Sequence, residues 1–198
     1  MNYSIQFEFV NTPYLSISAR KKTLKHQLYC VFDGIVLFKI GKHEYAVGPG
    51  QYFWIPANCL VSITSLPMAK YSKVELSQRL IAPFVTIPGY VSEKPIIKNA
   101  LDLLRDIDLD LDYRNVLLQV IKYELLHIEP KLTITKLSQE MTLGGAKISK
   151  ENNMALKLRE ARKSILSGKN KTTVAKEIFS MNSEEFDQFC QIILGTKL

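Results

Sequence analysis

From Leu28 to Leu76 the chain never holds one pattern for more than about six residues before a glycine, a proline or a polar joint interrupts it. The runs are LYCVFD, IVLFKI, HEYAV, QYFWI, CLVSIT and YSKVEL, with Gly34, Gly41, Gly48-Pro49-Gly50 and Pro56 at the breaks. Helices of useful length could not survive that punctuation, whereas strands rich in aromatic and β-branched residues need no more than this. The segment therefore predicts a small antiparallel β-barrel or sandwich.

After Pro95 the period changes. IIKNALDLLRDI puts Ile97, Ala100 or Leu101, and Leu104 on one helical face. DYRNVLLQVIKYELLHIE is longer and apolar almost all round, so one side can pack on its neighbour while another is left for a second subunit. Val116, Leu117, Val120, Ile121 and Tyr123 are the expected dimerisation residues. The acids between these helices lack the glycine and the closing glutamate of a calcium loop, and Asp112 or Asp110 reads as a helix N-cap. Pro130 ends the long helix, and short helices follow. Thr133, Asn152 or Asn153, and Thr172 are the expected starts, Gly168 is a stop, and Asn182 with Glu185 forms a capping-box pattern.

The expected class is thus α+β, with a β-barrel over 1–90, dimerisation and linker helices over 91–130 and a small all-α domain over 131–198. Charge divides along nearly the same lines. The first segment carries 9 basic and 4 acidic side chains, 91–135 carries 6 and 8, and 136–198 carries 11 and 7. A basic C-terminal segment suits a phosphate-binding surface. No cationic leader precedes an apolar run and no uncharged stretch of about 18 apolar residues occurs, so the expected location is cytoplasmic, without a membrane. Cys30, Cys59 and Cys190 have no metal spacing and read as reduced, buried thiols.

In the last 65 residues, Val174, Ala175, Ile178, Phe186, Phe189, Cys190 and Ile193 fit two short helices joined by a tight turn. Here LKLREARKSILSGKNKTTVAKEIFSMNSEEFDQFCQIILG resembles the C-terminal part of AraC-type bacterial transcription regulators. The linker-helix pattern falls on Lys157, Leu158 and Ala161, and the helix-turn-helix pattern on Val174, Ala175, Ser183, Phe186 and Gly195. LTITKLSQEM looks like the opening of the first of that family's two helix-turn-helix units. FDGIVLFKIGKHEYAVGPGQYFWIPANCLVSI looks like the cupin-like sensing barrel that precedes them, notably in virulence and type III secretion activators. The first reading helix is abbreviated to TLGGAKISKENN, some ten residues shorter than the family pattern; Phe179-Ser180 stands for Gly-Phe, Cys190 for phenylalanine and Gln188 for arginine.

The resemblance implies a sequence-specific, promoter-binding regulator that is no enzyme and needs no cofactor. Its DNA contacts are expected from Lys147, Ser149, Lys150, Lys157, Arg159, Arg162, Lys163, Lys169, Lys171, Asn182, Ser183 and Gln188. Against this, Glu184, Glu185 and Asp187 open the second reading helix, where acids favour the helix dipole but repel phosphate. The competing reading is an interaction protein that no longer binds DNA and modulates another regulator through the barrel and the 94–128 helices. Tyr29, Phe38, Tyr52 and Trp54 are offered as the lining of a small-molecule effector pocket, although aromatics at strand spacing more often form core. With only His26 and His43 in the barrel and no closely spaced pair, no metal is expected.

Overall fold

In the computed structural model, which describes residues 4–143 and 149–198, strand parity sets the layering. The strands are β1 (Ile5–Thr12), β2 (Ser16–Ile17), β3 (Lys21–Lys22), β4 (Lys25–Asp33), β5 (Val36–Ile40), β6 (His43–Val47), β7 (Tyr52–Ile55), β8 (Leu60–Ser65), β9 (Ala69–Ser77) and β10 (Gly89–Val91). The first sheet runs β1-β9-β4-β7-β10; the second runs β2-β8-β5-β6, with β3 also on β8. All pairings are antiparallel.

Alternate residues of the first sheet point to opposite sides. Tyr29, Val31, Phe53, Ile55 and Tyr71 face the second sheet and meet Val36, Phe38, Tyr45, Val47 and Val61. Phe38 and Phe53 stack with centroids 4.7 Å apart and planes 2° from parallel, and Tyr29 meets Phe38 edge-on at 4.9 Å. Burying each such ring favours folding by about 1.5–3 kcal/mol. Leu28, Cys30, Tyr52, Trp54, Val74 and Leu76 face the other way, onto helices α1 (Pro95–Leu103) and α2 (Leu111–Leu125). Asp110 is the cap of α2, accepting from the Asp112 and Tyr113 amides.

The expected closed barrel is not formed. The two sheets are open and face one another, and among the described residues no ladder joins them. The reason lies at the edges: β2 and β3 are two residues long, while the outward amide and carbonyl of Ala46 on edge strand β6 are taken by side chains. Strand β10 is likewise covered, by Lys131 bridged to Tyr90. Gly89 (φ 154°) permits that approach, since a Cβ there would sit 2.6 Å from the Lys131 carbonyl carbon.

The helices of the second half are α3 (Lys136–Leu143), α4 (Lys150–Leu166), α5 (Lys171–Val174) with its π-helical continuation over Ala175–Phe179, and α6 (Ser183–Leu194); α3, α4 and the end of α6 cover the outer face of the second sheet, and α5 with its continuation packs on α4 and α6. Leu15, Leu37, Ala46 and Leu66 form one cluster with Met141 and Ala155. The order of layers is therefore helices, sheet, sheet, helices.

Several helix starts differ from expectation. Ser149, not Asn152 or Asn153, caps α4 by accepting from the Asn152 amide; Asn170, not Thr172, caps α5; and Thr135, not Thr133, accepts from the Ser138 amide at the start of α3. The Asn182–Glu185 capping box is present, and Gly168 (φ 96°) follows the end of α4.

Candidate nucleic-acid interface

Helix α4 is the spine of the helical half. Ala155, Leu158 and Ala161, three residues apart, are buried along one side, because only small or apolar groups fit where it meets α5, α6 and the second sheet. Leu158, Ala175, Phe186 and Cys190 form the inner cluster, with Phe179 packed against Phe186 and Phe189 at 5.4 and 5.3 Å. The turn between the last two helices is held by Ser180 in the left-handed region (φ 56°) and by the Met181 amide donating to Ala175 O. Burial in that cluster pushes the Cys190 thiol up to about 11, so it stays protonated and inert.

The expected DNA contacts fall into two groups. Lys150, Lys157, Lys163, Lys169, Ser183 and Gln188 are exposed, and Lys176, which no sequence pattern singles out, joins them. Lys150 and Lys157 share one side of α4; Lys163 lies about 120° further round, since each helical residue turns about 100°. Ser149, Asn182, Lys171 and Arg159 are already engaged within the chain. Ser149 and Asn182 are N-caps, and Lys171 donates to Leu198 O at 2.8 Å and pairs with Asp187. Arg162 is half-buried in a groove against residues 11–17. Lys147 lies outside the described residues.

Arg159 is engaged most completely. Its Nη1 and Nη2 donate to Glu44 Oε1 and Oε2 of β6 at 2.8 and 3.2 Å, and its Nε to Glu160 Oε1 at 3.3 Å. Both Arg159 and Glu44 side chains are largely buried, at 19% and 14% exposure. They stand in the wall of a groove of about 670 Å³ between the β5–β6 hairpin and helices α3 and α4, which Lys39, Lys42, His43 and Lys157 also line. Nearby, Ser138 Oγ accepts from the Ala46 amide at 2.9 Å. At the far end the Leu15 amide donates to Ile193 O at 2.7 Å, and a Cβ on Gly195 would lie 2.7 Å from the Tyr14 ring. Nothing in the local sequence flags the Glu44–Arg159 pair, whose members are 115 residues apart.

The model of the AraC-like ligand binding domain matches residues 8–127, which take in β1 from Glu8 through α2. The chain belongs to that family. Membership points to regulation rather than catalysis, and helices α3 to α6 lie beyond the matched segment. Among solved structures, the chain is similar to ToxT from Vibrio cholerae O395 (10% identity, TM-score 0.41, 98% of this chain and 95% of that one). It is similar also to the same protein bound to (E)-4-(8-methylnaphthalen-1-yl)but-3-enoic acid (10% identity, TM-score 0.39, 98% and 97%). A cupin superfamily protein from Desulfitobacterium hafniense DCB-2 shares 13% identity at a TM-score of 0.36, over 39% of this chain and 72% of its own. No curated protein matches the sequence.

Within this AraC-like ligand binding domain the four aromatics offered as a pocket do not converge. Tyr29 and Phe38 fill the space between the sheets, whereas Tyr52 and Trp54 lie on the opposite face of the first sheet, under the helices. Period-two alternation separates them, and close packing leaves each fully used: Trp54 donates its indole N–H to Val85 O at 2.9 Å and stacks on His26. Residue type alone groups these four side chains, and strand parity divides them. A groove of about 460 Å³ does occur elsewhere, between β1, β9 and α2, lined by Phe7, Lys73, Leu111 and Arg114 among others.

The dimerisation residues also divide. Leu117 and Ile121 are core, at 8% and 0% exposure, while Val116 and Tyr123 stand out at 55% and 65% and Val120 is half-buried. Of the two histidines in the sheet half, His43 is exposed at the β5–β6 hairpin and His26 packs between Trp54 and Phe84. Among the described residues no group of three His, Cys, Asp or Glu could hold a metal, and no helix is long and apolar enough to cross a membrane.

Proposed function

We propose that this chain is a transcription regulator of AraC type whose helical half, residues 131–198, binds promoter DNA and whose sheet half, residues 1–90, governs it, with 91–130 supplying the homodimer contact. The observation that carries this reading is the arrangement over 150–194: a capped spine helix bearing exposed Lys150, Lys157 and Lys163, followed by two helices joined through a tight turn around one apolar cluster. Cations in that arrangement supply phosphate affinity, and Ser183 and Gln188, exposed on α6, supply polar contacts to base edges. An effector, where one acts, uses a groove outside the packed sheet interior.

Titration of a duplex with rising salt tests the proposal. Affinity should fall steeply as counterion release is suppressed, with a slope of about 0.9 per phosphate contact. Absence of salt-dependent binding to any duplex at low ionic strength would sink it.

A second reading, a partner protein that modulates another regulator without touching DNA, is favoured by one observation. Arg159, Lys171, Asn182 and Ser149 are all committed to contacts within the chain.

A further inference from the structure

The surface between the second sheet and the helical half is built from apolar contacts and neutral hydrogen bonds, with one exception. Among the described residues, Arg159–Glu44 is the one ion pair that joins the two halves. The second partner of Arg159, Glu160, belongs to α4 and moves with it, so Glu44 alone ties the guanidinium to the sheet.

A guanidinium fork matches a carboxylate and a phosphate by the same two parallel N–H bonds. Arg159 has both Nη atoms on Glu44, so its fork is not available to a phosphate while the halves are docked. The other contacts across the junction are apolar or neutral and do not engage an anion. We propose that Arg159–Glu44 is an autoinhibitory latch: docking of the halves and phosphate binding by Arg159 exclude one another, and DNA competes with Glu44 for the guanidinium. The inference rests on the DNA-binding reading given above.

The latch makes docking and DNA binding reciprocally coupled, so weakening one must strengthen the other. Two amides report docking directly: Ala46 N–H donates to Ser138 Oγ and Leu15 N–H to Ile193 O, both across the junction. Glu44→Gln removes the charge and keeps the size. Hydrogen exchange at the Ala46 and Leu15 amides should then quicken, and binding of the full chain to a fluorescent mixed-sequence duplex should tighten, each by roughly tenfold, within the usual range of coupling between sites. Arg159→Lys, which keeps the charge but loses the fork, should quicken exchange and gain less affinity. Unchanged exchange in Glu44→Gln overturns the latch, and so does faster exchange with unchanged duplex affinity in a wild type that does bind. If neither protein binds any duplex at low salt, the DNA-binding reading itself fails, and competition by phosphate fails with it.

Discussion

Tyr90 and Ser138, on β10 and α3, meet at 3.1 Å over the backbone of a single residue, Ala46. Tyr90 Oη donates to the Ala46 carbonyl at 2.7 Å, and Ser138 Oγ accepts from its amide at 2.9 Å. Together they occupy the outward groups of Ala46 on an edge strand whose open backbone would otherwise invite another strand. Ser138 is fully buried, so Ser138→Ala leaves the Ala46 amide without a partner and without water. The expected cost is about 1–3 kcal/mol, read as a lower urea midpoint at unchanged slope. Thr at position 138 should recover most of it; an equal loss in both variants would point to packing instead.

Stability should decline as pH falls below about 6.5, and His26 should be responsible. Its ring lies 5.6 Å from Trp54 and 5.0 Å from Phe84, and its Nδ1 accepts from the Ala57 amide at 3.1 Å. Burial lowers its pKa from 6.5. The unfolded chain therefore binds more protons in this window, so the contribution is present above the unfolded pKa and is lost as pH falls through the folded one. Melting temperature should drop from pH 7 to 5.5 in the wild type and drop less in His26→Gln. Parallel profiles for the two proteins would remove His26 from the account.

The six strand runs between Leu28 and Leu76 are legible because alternation and glycine breaks are local signals, and β4 to β9 follow them within a few residues. Strand β1 lies outside those runs, although IQFEFVNT alternates, and the two- and three-residue strands β2, β3 and β10 carry too little pattern to read. The helix starts are ambiguous because Ser, Thr and Asn crowd each one: Asn170 precedes Thr172 by two residues, and Ser149 precedes Asn152 by three. Any of them can cap, and the choice is made by tertiary packing. At the candidate interface the basic residues are legible by type. Their availability is not, since Glu44 and Arg159 are brought together only by the docking of α4 on β6.

Helix α2 should tolerate charge on one side and not on the other. Ile121 has no exposure and lies beneath the helix among Leu101, Leu117 and Leu125, so Ile121→Asp is expected to cost several kcal/mol and unfold the sheet half. Val116 and Tyr123 are exposed, and Val116→Asp with Tyr123→Asp should leave the melting temperature within about 2 °C. Sedimentation then decides the dimer: wild-type dimers should become monomers in the double variant, and folded dimers that persist would put the contact elsewhere.

The acids that open α6 have separate roles, which substitution should resolve. Glu185 Oε2 accepts from the Asn182 amide at 2.9 Å while Asn182 Oδ1 accepts from the Glu185 amide at 2.9 Å, so Glu185 belongs to the helix. Asp187 is paired with Lys171 and ties α6 to α5. Glu184 is exposed, and among the described residues only the helix dipole favours it, by about 0.3–1 kcal/mol. Glu185→Ala should therefore lower stability by about 0.5–1 kcal/mol, whereas Glu185→Gln, which can still accept, should lower it less. Glu184→Gln should strengthen duplex binding by removing a charge that faces phosphate, with little loss of stability. Replacing Lys157 and Lys163 by Ala should act in the opposite sense, reducing the salt slope by about 0.9 for each phosphate no longer neutralised and weakening all sequences alike. Duplex titrations of these variants at several salt concentrations separate the two effects. A Glu184→Gln protein that binds no better, beside Lys→Ala variants that keep the full slope, would mean that neither these sides of α4 nor the start of α6 meets DNA.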